Sequence, residues 1–369
     1  MDTPKIERCE ISAYRIPTDE IESDGTLTWK ATTLVLVRLE ADGIEGLGFT
    51  YSDVAAAHLI QGILAPLLKK EKSFDIATIW ERGRRALRNV GYPGVGAAAL
   101  SALDTALWDL KAKALHLPLV SLFGQARPSI AAYGSGGFTS YSLEQLRAQA
   151  AGWSRSGLKQ VKIKVGRAPQ DDPARIRAVR EAMGSEMEIF VDANGALHPT
   201  QALRLAEIFH DLGVTWFEEP VSSDDLEGLR LIREKVPPGI DIAAGEYGWD
   251  AAYFSRMLAA QAVDVLQADA TRCGGYTGFL QADALAQAHG TPLSSHCAPA
   301  FHLPVCCAAQ AIRHMEFFHD HVRIERMLFD GVAELREGRL FPDLDRPGHG
   351  LKLRDSDARR FLIYRETVI

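Results

Sequence analysis

The chain has 369 residues, 47% hydrophobic and 24% charged, enough for one large domain with a sizeable core and a smaller companion. Its 41 lysines and arginines against 48 acids leave a formal charge of −7, with no basic run interleaved with aromatics, so nucleic acid is not an expected partner. No apolar run approaches the roughly 18 residues of a membrane span, and the opening MDTPKIERCE has no charged start followed by an apolar stretch, so no membrane partner and a cytoplasmic location are expected. The five cysteines, Cys9, Cys273, Cys297, Cys306 and Cys307, lack C-x-x-C spacing and read as reduced packing thiols.

In chain order, residues 1–125 read as strands followed by helices. TTLVLVRLEADGIEGLGF holds two strand-like runs around a turn at Asp42-Gly43, and GVGAAALSALDTALWDLKAKAL is helical. From about residue 129 the texture becomes a β/α alternation. Short apolar strands (IAAYG, VKIKV, IFVDA, TWFEE, IDIAA, VLQAD) are separated by helical stretches such as TQALRLAEIFHDLG, and such alternation implies parallel strands. Polar residues fall at the strand ends: Lys164, Asp192, Glu218, Glu246, Asp269, His296 and Glu316 are 28, 26, 28, 23, 27 and 20 residues apart. Those are the lengths of βα units. With a first strand near Ala131, they describe an α/β protein built on a (β/α)8 TIM barrel with ionisable groups on its C-terminal rim; an open doubly wound sheet is the competing arrangement.

In VKIKVG the two-residue rhythm of a strand puts Lys162 and Lys164 on one face and Val161, Ile163 and Val165 on the other. The lysines therefore look into the barrel. Asp192, Glu218 and Glu246 end neighbouring strands, and three hard carboxylates suit Mg²⁺, while the lack of His or Cys among them disfavours zinc. Singly, each acid could serve a turn, a pair or a cap. Lys164 and His296 lie on opposing flanks of the mouth, so a substrate between them meets a base on each face. Asp269 adjoins His296 and is expected to orient the imidazole. Lys162 is expected to lower the pKa of Lys164 by like-charge repulsion, leaving a neutral amine as general base. Glu316 is expected to act as a carboxylic acid donating to a substrate carboxylate as an enolate forms. Together these groups would remove a proton α to a carboxylate and stabilise the enediolate.

The pieces KIK, VDANGA, WFEEP, AGE, DATRCGG, SSH and MEFFHD, with ALDTALWDLKAKALHLPLVSLFG before them, resemble the enolase superfamily and, within it, the mandelate racemase subgroup. The resemblance covers nearly the whole chain. It implies an α+β capping domain (1–125), a modified (β/α)8 barrel (126–325) and a C-terminal segment (326–369) returning to the cap. It also implies Mg²⁺ on Asp192, Glu218 and Glu246, Lys164 as base with Lys162 its helper, His296 with Asp269 as the opposite acid/base, and Glu316 as the electrophilic acid. Asn194 is implied as a contact to the substrate α-hydroxyl, and a homo-oligomer as the assembly. Specificity is expected in the cap loops PTDEIESDGTLTW, from Pro17 to Trp29, and FTYSD after Gly48; the first is rich in acids and hydroxyls, which suits a polyol more than an aromatic ring. The expected reaction is dehydration of an acid sugar. The alternative is racemisation or epimerisation of a 2-hydroxy acid by the same two bases, and a non-catalytic barrel is a remote third.

Overall fold

The computed structural model describes residues 3–369, so the first two residues of MDTPKIERCE lie outside the described residues. β1 (Arg8–Ser23), β2 (Thr28–Ala41) and β3 (Ile44–Tyr51) form an antiparallel sheet whose fourth strand is Leu362–Thr367, from the C-terminus, paired with β1. β2 and β3 are joined at Asp42 (φ 50°) and Gly43 (φ 72°), a two-residue turn of the kind whose positive φ values match the twist of a hairpin. The 20-residue helix Val95–Ala114 packs on this sheet, and Gly46 and Gly48 admit it: a Cβ on either would meet its backbone within 2.4 Å.

Eight parallel strands follow: β4 (Ile130–Gly136), β5 (Gln160–Lys164), β6 (Glu188–Asp192), β7 (Val214–Glu218), β8 (Asp241–Ala244), β9 (Val265–Ala268), β10 (Leu293–Ser295) and β11 (Ile312–Phe318). Each pairs with the next, and β11 pairs with β4, so the sheet closes into a barrel. A helix follows every strand, as parallel connection requires. Side chains alternate across the wall. Val161, Ile163, Ile189, Val191 and Phe217 join the layer under the helices, while Tyr133, Phe190, Trp216, Ala243 and Val265 fill the interior. The inward parity of Phe190 and Trp216 places Asp192 and Glu218, two residues on, at the mouth.

The segment after the barrel divides its attachments. Arg339–Leu340 adds an antiparallel strand to β4, and Leu362–Thr367 joins the cap sheet. The expected cap loop from Pro17 to Trp29 is instead the end of a β-hairpin. β1 continues to Ser23, the register slips between Pro17 and Glu22, and the turn is confined to 24–27. Cross-strand pairing with β2 overrides the loop-like composition. Arg167 donates to the carbonyls of Asp24 and Leu27, and a Cβ on Gly25 would lie 2.3 Å from the Ala193 carbonyl oxygen, so this turn rests on the end of β6. No helix among the described residues is long and apolar enough to cross a membrane.

Candidate active site

The C-terminal ends of the barrel strands meet beneath the cap. Lys162, Lys164, Asp192, Glu218, Glu246, Asp269, His296 and Glu316 are all at most 6% exposed and converge there. Ligand oxygens of Asp192, Glu218 and Glu246 lie within 4.8 Å of one another. Glu246 stands two residues beyond β8 because Gly245 turns the chain at φ 130°, where a Cβ would meet the Gln267 carbonyl oxygen at 2.2 Å. Glu316 lies within β11, two residues before its end.

Charge pairing knits the groups together. Lys162 Nζ donates to Glu218 Oε1 at 2.5 Å and lies 2.9 Å from Glu316 Oε1, while Lys164 Nζ donates to Asp192 Oδ2 at 2.5 Å. Trp216 Nε1 and Gln267 Nε2 donate to Glu218 Oε2 at 3.0 and 2.9 Å. Glu316 accepts from the Ser135 hydroxyl at 2.6 Å and the Cys297 amide at 2.7 Å. On the far flank Asp269 Oδ2 is 2.8 Å from His296 Nδ1, and Glu246 Oε2 is 3.3 Å from His296 Nε2. The three clustered carboxylates thus lie between Lys164, on Asp192, and His296, on Glu246.

The charges around Lys164 and Glu316 act against the protonation states expected of them. Desolvation and, less strongly, Lys162 lower the Lys164 ammonium, as expected of the second lysine, but Asp192 together with Glu246 and Glu218 outweighs both, and the net shift is upward. Glu316, although desolvated, is held well below the usual carboxylate range by Lys162 and His296. Burial and the nearby Asp192, Glu316 and Glu246 push Glu218 well up against the pull of Lys162. Asp269, despite burial, is held down by its bond to His296 and by His302. The centre is crowded with carboxylates, and Glu246 Oε2 has no hydrogen-bond partner. Hard oxygen donors in this arrangement fit a small divalent cation.

Asn194, at φ 46°, donates its amide to Asp192 Oδ1 at 2.8 Å, and its own side-chain oxygen is buried without a partner. It lines a cavity of about 730 Å³ with Tyr51, Glu219, Tyr247, Trp249 and Arg272. Glu219, next to Glu218 in WFEEP, is buried, its Oε1 is unpartnered, and burial beside Glu246 and Asp192 raises its pKa well above normal. Ser135, Trp216 and Gln267 were not singled out, although Trp216 and Gln267 stand two residues before Glu218 and Asp269 and so share their inward face. All five cysteines are free and buried, and Cys297 is more than packing: its Sγ lies 3.2 Å from His296 Nε2.

The cap closes on this surface through polar seams. Thr50 donates to the Thr271 carbonyl, Trp80 to that of Gly274, and Ser101 accepts the amides of Gly274 and Gly275. Tyr51 stacks on His321 at 3.6 Å between ring centroids.

A closed parallel barrel with a carboxylate cluster flanked by a lysine and a histidine, capped by an antiparallel α+β layer, defines an enzyme class that works at the strands' C-terminal rim. The family described as Enolase C-terminal domain-like matches residues 145–358, and the mandelate racemase / muconate lactonizing enzyme N-terminal domain matches residues 23–124. The chain belongs to the mandelate racemase/muconate lactonizing enzyme family of the enolase superfamily. It is 35% identical to an L-talarate/galactarate dehydratase of Salmonella typhimurium LT2 over 87% of this chain and 80% of that protein. The crystal structure of a mandelate racemase/muconate lactonizing enzyme-like protein from Rubrobacter xylanophilus is 48% identical with a TM-score of 0.95, covering 97% of this chain and all of that one. A racemase from Streptomyces coelicolor A3(2), crystallised with bound magnesium, is 30% identical with a TM-score of 0.91, covering 97% and 100%.

Proposed function

We propose that this protein is a Mg²⁺-dependent dehydratase of an acid sugar, removing the proton α to the carboxylate and the hydroxyl β to it to give a 2-keto-3-deoxy acid. The observation that carries the reading is the placement of Lys164 and His296 at the two ends of the Asp192–Glu218–Glu246 cluster. Asp192, Glu218 and Glu246 would hold Mg²⁺, which when bound would supply positive charge against the substrate carboxylate and the charge that develops on it. Lys162, between Glu218 and Glu316, offers a fixed cation to the far carboxylate oxygen, and Ser135 and the Cys297 amide keep Glu316 in place.

Lys164 takes the α-proton once its contact with Asp192 is released, which also removes the strongest of the carboxylates that raise its pKa. His296 gives a proton from Nε2 to the departing β-hydroxyl, while the Nδ1 bond to Asp269 holds the ring's tautomer. The bonds broken are Cα–H and Cβ–O, and water leaves; the enol formed then gives up its hydroxyl proton and takes a proton at Cβ to become the 2-keto-3-deoxy acid. Asn194 and Glu219 face the cavity where the α-hydroxyl would lie, and the hydroxyl- and acid-rich hairpin end from Pro17 to Trp29 suits a polyol. The dehydratase among its relatives supports the same chemistry.

A second reading rests on the same pair of bases: Lys164 and His296 on opposite faces would racemise or epimerise a 2-hydroxy acid, and the magnesium-bound relative is described as a racemase. We also propose assembly as a homo-oligomer, which a solution mass measurement tests. A screen of Mg²⁺-loaded protein against acid sugars and 2-hydroxy acids in D₂O, read by proton NMR, separates the reactions. A new 3-deoxy methylene signal supports the dehydratase; α-deuterium in an otherwise unchanged compound replaces it with the racemase. No reaction across both libraries counts against either.

A further inference from the structure

We propose that the mouth carries a second cation site, selective for a thiophilic divalent ion such as Zn²⁺, built from His296 Nε2, Cys297 Sγ and Glu316 Oε2, and that filling it switches the enzyme off. The three donor atoms lie within 4.8 Å of one another, and all three residues are buried. From His296 Nε2 the distances are 3.2 Å to Cys297 Sγ and 3.8 Å to Glu316 Oε2. Ligands at zinc's usual bond lengths of about 2.0–2.3 Å in a tetrahedron stand about 3.3–3.7 Å apart, so little rearrangement is needed.

Further features favour a ligand here. Glu246, one of the three carboxylates assigned to Mg²⁺, has its Oε2 3.3 Å from the same imidazole nitrogen, so the two cation sites would adjoin. Asp269 bonds His296 Nδ1 at 2.8 Å, the carboxylate–histidine arrangement that directs the Nε2 lone pair outward and raises its basicity toward a metal. Cys297 sits at φ 53°, an uncommon conformation for a residue other than glycine, with its amide on Glu316, so backbone and thiol are held together against the site. The thiol takes no part in the proton transfers proposed above.

The two sites sort ions by hardness. Asp192, Glu218 and Glu246 offer only oxygen and suit Mg²⁺, whereas nitrogen, sulfur and one oxygen suit Zn²⁺ or Cd²⁺ and give Mg²⁺ no advantage. On binding, the Cys297 thiol proton, and the Nε2 proton of any His296 that carries one, leave to solvent in exchange for the ion, with no change of oxidation state. The bound ion occupies the lone pair of His296 and an oxygen of Glu316, so proton transfer stops. The switching rests on the function proposed above; the coordination does not.

The test uses full-length protein saturated with Mg²⁺. Co²⁺ is added and the near-ultraviolet sulfur-to-cobalt charge-transfer band is recorded, and Zn²⁺ binding is measured by calorimetry in wild type, Cys297→Ala and the near-isosteric Cys297→Ser. The expected result is one band per chain in wild type, no band in either variant, and a Zn²⁺ affinity weakened at least tenfold or so by loss of the thiol. Zinc inhibition, read against each variant's own zinc-free rate, should weaken in parallel. No band in wild type, or a band persisting in whichever variant keeps the wild-type circular dichroism, overturns the site. A band with turnover indifferent to Zn²⁺ overturns the switch. A band in a protein inert toward every acid sugar and hydroxy acid would refute the proposed function while leaving the site standing.

Discussion

Mg²⁺ binding at Asp192, Glu218 and Glu246 should stabilise the fold by an amount that depends on Glu246. The ion binds the folded chain only, so at 100 times its dissociation constant it adds about 2.7 kcal/mol. For 369 residues the unfolding entropy is about 0.8 kcal/mol per kelvin, so the midpoint should rise by about 3–4 °C. Glu246→Gln keeps the shape of the side chain but removes a charge and the oxygen that has no hydrogen-bond partner. If affinity falls about 100-fold, the same Mg²⁺ concentration adds only about 0.4 kcal/mol, or about 0.5 °C. Scanning calorimetry of chelator-treated protein with and without Mg²⁺ reads both. A wild-type midpoint unmoved by millimolar Mg²⁺, or an undiminished rise in Glu246→Gln, would refute the ligand set.

Lys164→Ala should reduce turnover by at least about 10²-fold while the Mg²⁺-dependent midpoint rise persists; turnover near wild type would remove Lys164 from the role of base. Gly245→Ala forces a Cβ to 2.2 Å from the Gln267 carbonyl oxygen at φ 130°, and should displace Glu246 and cost about 1–3 kcal/mol in strain alone, visible as a lower denaturation midpoint and weaker Mg²⁺ binding. Asp104, accepting from Thr277 at the seam between cap and barrel, is pushed by burial from 3.8 up to about 7. The folded chain keeps a proton there that the unfolded chain surrenders, so this group's contribution falls as pH rises from about 4 to 7 and then levels, by at most about 4 kcal/mol. The unfolding free energy of wild type minus that of Asp104→Asn, followed over that range, should decline with pH; a flat or rising difference would show that Asp104 is ionised in the fold.

Much of the site was legible because a strand's two-residue period and the order of strands around a barrel are local properties. Lys162 and Lys164 shared a face, and seven polar residues at βα spacing had to gather on one rim once the strands were parallel and closed. The turn at Asp42-Gly43, the helix Val95–Ala114 and all eight barrel strands follow from the same local patterns. Other features were settled by neighbours that no local pattern names. Lys162 beside Lys164 pulls the amine's pKa down, but Asp192, 28 residues away in sequence, lies 2.5 Å from Lys164 and with Glu246 and Glu218 turns the net shift upward. The Glu316 carboxyl is pulled down chiefly because Lys162 arrives from β5. The polar run after Pro17 became the end of a hairpin through pairing with β2. Cys297 meets His296 through an uncommon φ, and Glu246 reaches the same imidazole through the turn at Gly245. Side-chain direction along a strand is set by the chain's own geometry and can be read in sequence; charge state and coordination depend on which distant groups the barrel brings within a few ångströms, and only the tertiary structure decides that.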